Sequence, residues 1–412
     1  MDSKIVKIIG RQVLDSRGFP TIEAEVFTKS SFGYAIVPSG MSKGKYEAKE
    51  LRDNSKYYHG LSVLKNVQNI KKISKILINK DVTNQKLIDE LIIKLDNTKD
   101  KSNLGANTIL SISLAVARCS ADLQNKPLYK TLGKNYKMPI PFANIINGGK
   151  HSANNLNIQE FMITPIKAKS FSEATQFIAE IYYTLKNLLL EKYGKQSINV
   201  GDEGGFSPNV NSPEDALDII QKAIELNSYQ NKINIALDCA ASEFYDSKKN
   251  NYLIQPNKEL SKYSLIDYYN SLIKKYKIIS IEDPFDQNDY GAWKEFTKKT
   301  NIQVVADDLT TTNPERIEEA AKEKLANCLL LKPNQIGTLT ESLDAFNIAS
   351  KSKWKVMASH RSGDTEDTFI TDLATGLGCG QIKIGAPCRG ERTSKYNRLL
   401  KIEETKIKYS KF

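Results

Sequence analysis

The sequence predicts an α/β protein whose second half is a β/α barrel, preceded by a smaller unit of strands and then helices. Three observations predict this. Short apolar runs between residues 233 and 383 each end on a polar residue, most of those ends lie about 25 residues apart, and a proline-marked break precedes them.

In the first unit, PTIEAEVFT (20–28) alternates apolar and polar residues, as a half-buried antiparallel strand should. GYAIVPSG follows after the turn Ser-Ser-Phe-Gly. NQKLIDELIIKLD (84–96) repeats apolar residues at three and four, which predicts an amphipathic helix. GANTILSISLAVARCSADLQ (105–124) is more apolar and predicts a buried helix. Pro127, Pro139 and Pro141 mark a break near residues 125–138, so the division is set at 1–133 and 134–412.

The second unit has a different rhythm. INIALD ends at Asp238, IISIED reaches Glu282, IQVVADD reaches Asp307, NCLLLK ends at Lys332, KVMASH at His360 and GQIK at Lys383. The steps between these ends are 44, 25, 25, 28 and 23 residues. A step near 25 is one strand, loop and helix. Repetition of that unit implies a parallel sheet, closed or open. A closed barrel gathers strand ends at one mouth, where a site sits. An open doubly wound sheet would need a nucleotide-type glycine loop. The only candidate, Gly376-Leu-Gly-Cys-Gly380, lacks the G-x-G-x-x-G spacing.

Bulk properties narrow the function classes. A chain of 412 residues fits about two domains, or one large barrel with an appendage. No apolar run reaches the roughly 18 residues of a membrane span. The start, MDSKIVKIIGRQ, does not read as a signal peptide. Five scattered cysteines without a C-x-x-C pair argue against a disulfide framework or zinc site, so a cytoplasmic location is the expectation. The net charge of +11 comes from lysines spread along the whole chain, without a basic, aromatic-interleaved tail. That reads as a solvated surface and argues against a nucleic-acid partner.

The polar strand ends carry the chemistry. Asp238, Glu282 and Asp307 would repel one another at one mouth unless a cation joins them, and all-oxygen donors favour Mg²⁺. The alternative is that each pairs with a loop lysine. Lys332 and Lys383 can bind a carboxylate or phosphate, or one can act as a base. A base lysine must lose its proton, which burial, a second lysine and Mg²⁺ all favour. His360-Arg361-Ser362-Gly363 offers a planar fork and a hydroxyl for phosphate. Glu203 sits between glycines in GDEGG, and INGGKH, with His151, leads into Gln159 and Glu160. Two glutamates facing a lysine across a metal suggest an acid on one side of the substrate and a base on the other.

The chain resembles the enolase family over essentially its whole length. The carrying motifs are INGG with QEFM, GDEGG, ALDCAASEF, SIEDPF, ADDLTTTNP, LLLKPNQIG, SHRSGDTED and GQIKIGAPCR. The resemblance implies a TIM-like (β/α)8 barrel of enolase type, departing from simple βα order in its first elements, behind a smaller amino-terminal α+β domain. It implies a Mg²⁺-dependent lyase of glycolysis and gluconeogenesis that dehydrates 2-phospho-D-glycerate to phosphoenolpyruvate. It implies a homodimer or higher even oligomer.

By the same resemblance, Lys332 is the base that takes the α-proton, and Glu203 is the acid that assists hydroxide departure. Glu160 and His151 support that acid. Asp238, Glu282 and Asp307 hold a high-affinity Mg²⁺. Ser42, in a loop that closes on substrate, joins a second Mg²⁺ bound with the phosphate. Arg361, Ser362, His360 and Gln159 contact substrate, and Lys383 neutralises its carboxylate. An inactive binding protein on the same scaffold is the alternative, and its mark would be a lost ligand or lysine. The chain departs from the family pattern at Phe19, Met41, Lys43, Ile384 and Gly390. Lys43 adds a charge beside the phosphate loop, pointing either inward or to solvent.

Overall fold

The computed structural model describes residues 2–41, 43–255 and 257–412. The first unit opens with three antiparallel strands, β1 (Lys7–Leu14), β2 (Pro20–Phe27) and β3 (Phe32–Ile36). Helices α1 (Leu64–Leu77), α2 (Gln85–Asp96) and α3 (Ala106–Leu123) follow. Asn84 caps α2 by accepting the Leu87 N–H. The largely apolar α3 is buried on nearly every side, because β2 and β3 cover one flank and α1 and α2 another. The close approach rests on Gly33, where an added Cβ would stand 2.2 Å from the Cys119 nitrogen. A single turn, α4 (Tyr129–Leu132), leads out of this unit.

The second unit is a closed barrel, which overturns the open-sheet alternative. Its strands are β4 (Ile140–Asn147), β5 (Glu160–Thr164), β6 (Asn234–Asp238), β10 (Ile278–Glu282), β11 (Gln303–Ala306), β12 (Cys328–Leu331), β13 (Lys355–Ser359) and β14 (Gly380–Lys383). Between β5 and β6 stand α5 (Phe171–Tyr193) and α6 (Pro213–Leu226). The 44-residue step before Glu282 holds a small sheet, β7 (Tyr245–Asp246), β8 (Asn251–Gln255) and β9 (Lys258–Ser261), and then α7 (Lys262–Tyr276). The later crossovers are α8 (Tyr290–Lys299), α9 (Pro314–Lys322), the short α10 (Pro333–Ile336), α11 (Leu339–Lys351), α12 (Phe369–Leu377) and α13 (Gly390–Glu403). Capping places these helices: Asn313 and Pro314 start α9, and the Thr338–Glu341 capping box starts α11. The glycines of 376–380 end a helix and enter a strand, the reverse of a nucleotide-binding turn.

β5 runs antiparallel to both β4 and β6. Its first residue therefore lies at the mouth where the other strands end, with Glu160 opposite Asp238. Asp238 in turn stands opposite Glu282, and Ser359 opposite Lys383. Below this polar ring the barrel interior is apolar, filled by Phe142, Met162, Val305, Cys328, Leu330 and Met357. The reciprocal amide pair Gln303–Gln381, 2.8 Å each way, lies towards the strands' amino-terminal ends.

The first unit covers the mouth. Arg118 on α3 makes a two-pronged pair with Asp367, at 2.7 and 2.6 Å, and Ser39 and Gly363 exchange backbone hydrogen bonds. All five cysteines are free. Among the described residues no helix is long and apolar enough to cross a membrane.

Gly33→Ala should force α3 off the sheet and destabilise the protein by about 1–3 kcal/mol. A thermal midpoint within a degree of the parent's would refute that close packing.

Candidate active site

The strand ends converge as buried ion pairs. Lys383 Nζ lies 2.9 Å from Glu282 Oε1, 3.0 Å from Asp238 Oδ2 and 3.1 Å from Glu160 Oε2. Burial works against this ammonium, but the three carboxylates outweigh it and hold its pKa well above the ordinary lysine value. Burial, and then the Asp238 charge, push the Glu282 carboxyl well above its usual range. Like charges are thus crowded here, and every donor is a hard oxygen. Asp238 and Glu282 offer hard oxygens of the kind Mg²⁺ takes, while the groups whose ligand atoms lie closest together among the described residues are His151–Glu160–Glu203 and Asp283–Asp307–Asp308.

Asp307 stands with the other lysine. Lys332 Nζ lies 2.6 Å from Asp307 Oδ2, and Gln335 donates to Asp307 Oδ1 at 2.8 Å. Burial opposes the Lys332 charge, as do Arg361 and Lys383, but Asp307 prevails and raises its pKa. The expected lowering of this lysine is therefore reversed while it pairs with Asp307. The cause is the short contact in a dry site.

Across the mouth lies an acid cluster. The tight GDEGG turn brings Glu203 beside Glu160, with His151 Nδ1 3.6 Å from each of their Oε1 atoms. Asn144 Nδ2 donates to Glu203 Oε2 at 3.1 Å, and His360 Nε2 lies 3.3 Å from the same oxygen. Burial and the Glu203 charge push the Glu160 carboxyl well above its usual range. Burial pushes both His151 and His360 down, His360 to about 4. At neutral pH the His360 ring is therefore uncharged. Gln159 Nε2 lies 3.5 Å from Asp238 Oδ2, so it borders the carboxylate group.

The HRSG segment lies at the rim. Both outer nitrogens of Arg361 bind Glu47, at 3.0 Å each, and one reaches Asn334 Oδ1 at 3.1 Å. Ser362 Oγ accepts the Met41 N–H at 2.7 Å, which ties the early loop to the barrel. Ser42 lies outside the described residues. Lys43 pairs with Glu50 at 3.0 Å, so its charge is met within the loop. Phe19 stacks on Arg17, Ile384 is buried, and Gly390 has open space beside it. A polar cavity of about 980 Å³, bordered by Met41, His151, Asn154 and Asp202, opens onto the acid cluster.

Four side chains that contact this group are not singled out by the sequence: Glu47, Asn144, Gln335, which lies within the quoted motif LLLKPNQIG, and Arg392, which is fully buried against His360.

Comparison with known proteins adds the family. Residues 5–132 match the family model described as "Enolase, N-terminal domain", and residues 135–412 match "Enolase, C-terminal TIM barrel domain". The chain is 51% identical to the enolase of Methanococcus vannielii, across 99% of this chain and 96% of that protein. It is 50% identical to the enolase of Methanocaldococcus jannaschii, across 97% and 95%.

The depressed His360 links stability to pH. An unfolded histidine binds its proton near 6.5, whereas the folded one waits until about 4. Between these values the unfolded chain holds more protons, so stability rises with pH through that window and falls as pH drops. Chelated protein should lose on the order of 3 kcal/mol through this one group between pH 7 and 4.5. Urea midpoints of wild type and His360→Gln should therefore diverge across that range, and parallel curves would remove the linkage.

Proposed function

The chain belongs to the enolase family, and from that premise we propose that it interconverts 2-phospho-D-glycerate and phosphoenolpyruvate, as a lyase of glycolysis and gluconeogenesis. The observation that carries the reading is the placement of a base and an acid on opposite sides of one mouth. Lys332 stands on one side, and Glu203 with Glu160 and His151 on the other. Asp238, Glu282 and Lys383 lie between them.

The α-proton of a carboxylate is very weakly acidic, because its removal leaves a dianion. Fixed cations around that carboxylate stabilise the charge, and removing one such donor typically slows turnover about 10²- to 10³-fold. Asp238, Glu282 and Asp307 would hold one Mg²⁺, and Ser42 would join a second that arrives with substrate. Bound there, Mg²⁺ would supply positive charge at the substrate carboxylate. Lys332 then takes the α-proton with burial, Arg361 and Lys383 all favouring its neutral form. Lys383 neutralises the carboxylate. Glu203 gives a proton to the leaving hydroxyl, whose carbon–oxygen bond breaks with its electron pair on oxygen, and the carbon–carbon double bond forms. Glu160, whose carboxyl burial and the Glu203 charge push above its usual range, and His151 support that glutamate. Arg361, Ser362, His360 and Gln159 hold the substrate, and the phosphate takes the fork of Arg361 that Glu47 occupies.

An inactive scaffold would lack one of these groups, and every one among the described residues is present. We take the protein as cytoplasmic, divided at 133/134, and a homodimer or higher even oligomer. Exposed Leu14, Phe32 and Tyr34 on the first sheet supply apolar surface for association.

Ultraviolet absorbance should report phosphoenolpyruvate formed from 2-phosphoglycerate, lost on chelation and restored by Mg²⁺. Full turnover after exhaustive chelation would remove the metal from the scheme. Lys332→Ala should abolish both α-proton exchange with solvent and dehydration. Glu203→Gln should abolish dehydration and keep some exchange. The opposite pattern would exchange their roles.

A further inference from the structure

Helix α13 turns Arg392, Lys395, Tyr396 and Leu399 inward at helical spacing. Lys395 Nζ donates to the Thr365 carbonyl at 2.8 Å, and Tyr396 OH to the Gly385 carbonyl at 2.7 Å. Arg392 is fully enclosed, at 0% exposure.

Its partners are unusual for a buried cation. No carboxylate meets its fork squarely. Asp364 Oδ2 is 3.4 Å away, and Glu391 Oε1 lies 3.6 Å from Nε. The short contacts go to neutral acceptors. Nη1 reaches His360 Nδ1 at 2.6 Å and the Arg361 carbonyl at 2.7 Å. Nη2 reaches the Ser362 carbonyl at 2.6 Å and the Asp202 carbonyl at 3.0 Å. One guanidinium thus ties the phosphate-gripping loop to the turn that carries Glu203.

A guanidinium has donors and no acceptor. His360 Nδ1 must therefore be the bare nitrogen, and the neutral ring carries its proton on Nε2. That nitrogen faces Glu203 Oε2 at 3.3 Å, and Asn144 donates to the same oxygen at 3.1 Å. An oxygen that already accepts from Asn144 and has a ring N–H beside it is a poor place for a carboxyl proton. Oε1, which faces His151, is the place left.

We propose that Arg392 is a positioning residue for the dehydration half of the reaction: its fork locks His360 in the Nε2–H tautomer, which turns a ring N–H toward Glu203 Oε2 and leaves Oε1 to take up the proton that Glu203 passes on. The inference rests on Glu203 being the acid. The same fork shapes the Arg361–Ser362 backbone, so substrate affinity depends on it too. Burial, and after it the Arg392 charge, depress the basicity of His360, in keeping with a bare Nδ1 that faces the guanidinium.

Nitrogen NMR of the side chains tests this directly, because the chain has only three histidines. Wild-type His360 should show a bare Nδ1 and a protonated Nε2 from pH 6 to 8. Arg392→Met should populate both tautomers. Its dehydration kcat should fall at least about tenfold while α-proton exchange stays within about threefold, with a raised KM. Should Arg392→Met fail to fold, Arg392→Lys keeps the buried charge without the fork and should show the same split. A wild-type proton on Nδ1, an unmoved tautomer in a folded variant, or equal loss of exchange and dehydration would each overturn the proposal. Dehydration surviving Glu203→Gln would instead remove the acid assignment, and the tautomer result would stand without it.

Discussion

Buried opposite charge at the barrel mouth is the constraint from which the rest follows. Lys383 is enclosed by Glu160, Asp238 and Glu282, all within 3.1 Å and all nearly without solvent. In such a place an unpaired carboxylate would take up a proton, and an unpaired ammonium would lose one. The group holds together only if its strand ends are level with one another. The reversed β5 and the parallel β6, β10 and β14 make them level, with Glu160, Asp238 and Glu282 in one row. Chemistry and stability therefore make the same demand on strand register.

The first unit contributes to the site as well as covering it. Glu47 grips Arg361 with the two-pronged geometry that a phosphate would use, and it also contacts Gln335, which holds Asp307. The loop that carries Glu47 is pinned to Ser362 through Met41 and to the barrel loop at Gln287 through Lys45. Ligand binding at Arg361 is thereby coupled to the position of a loop far away in sequence. On the opposite side, α13 holds the Arg361–Ser362 carbonyls and the Asp202 carbonyl from below. The rim is thus set by two segments separated by more than three hundred residues.

Much of this was legible before any coordinates. The apolar runs ending in Asp238, Glu282, Asp307, Lys332, His360 and Lys383 are strands, because β-branched stretches of that length read directly as buried strands. The 84–96 and 105–124 helices begin and end within a residue of the expected places, since Asn84 and Gly105 are explicit boundary residues. Barrel closure was not legible from periodicity. It depends on β14 pairing with β4, and on the β4–β5 hairpin, which βα spacing does not announce. Glu47 and Asn144 stayed hidden because an isolated polar residue gives no sign of what it will face.

The sequence by itself determined which residues end the strands, and with them the oxygen-rich, lysine-flanked chemistry of the mouth. Strand propensity and side-chain identity are local properties, written one segment at a time. Only the tertiary structure decided how those charges divide, with Asp307 on Lys332 and with Asp238, Glu282 and Glu160 on Lys383. It alone decided that Asp307 reverses the expected lowering of Lys332, and that Arg392 reaches His360 from the last helix. The reason is distance. Electrostatic preference in a dry site is settled over a few ångströms, between groups that the chain brings together only when the barrel closes.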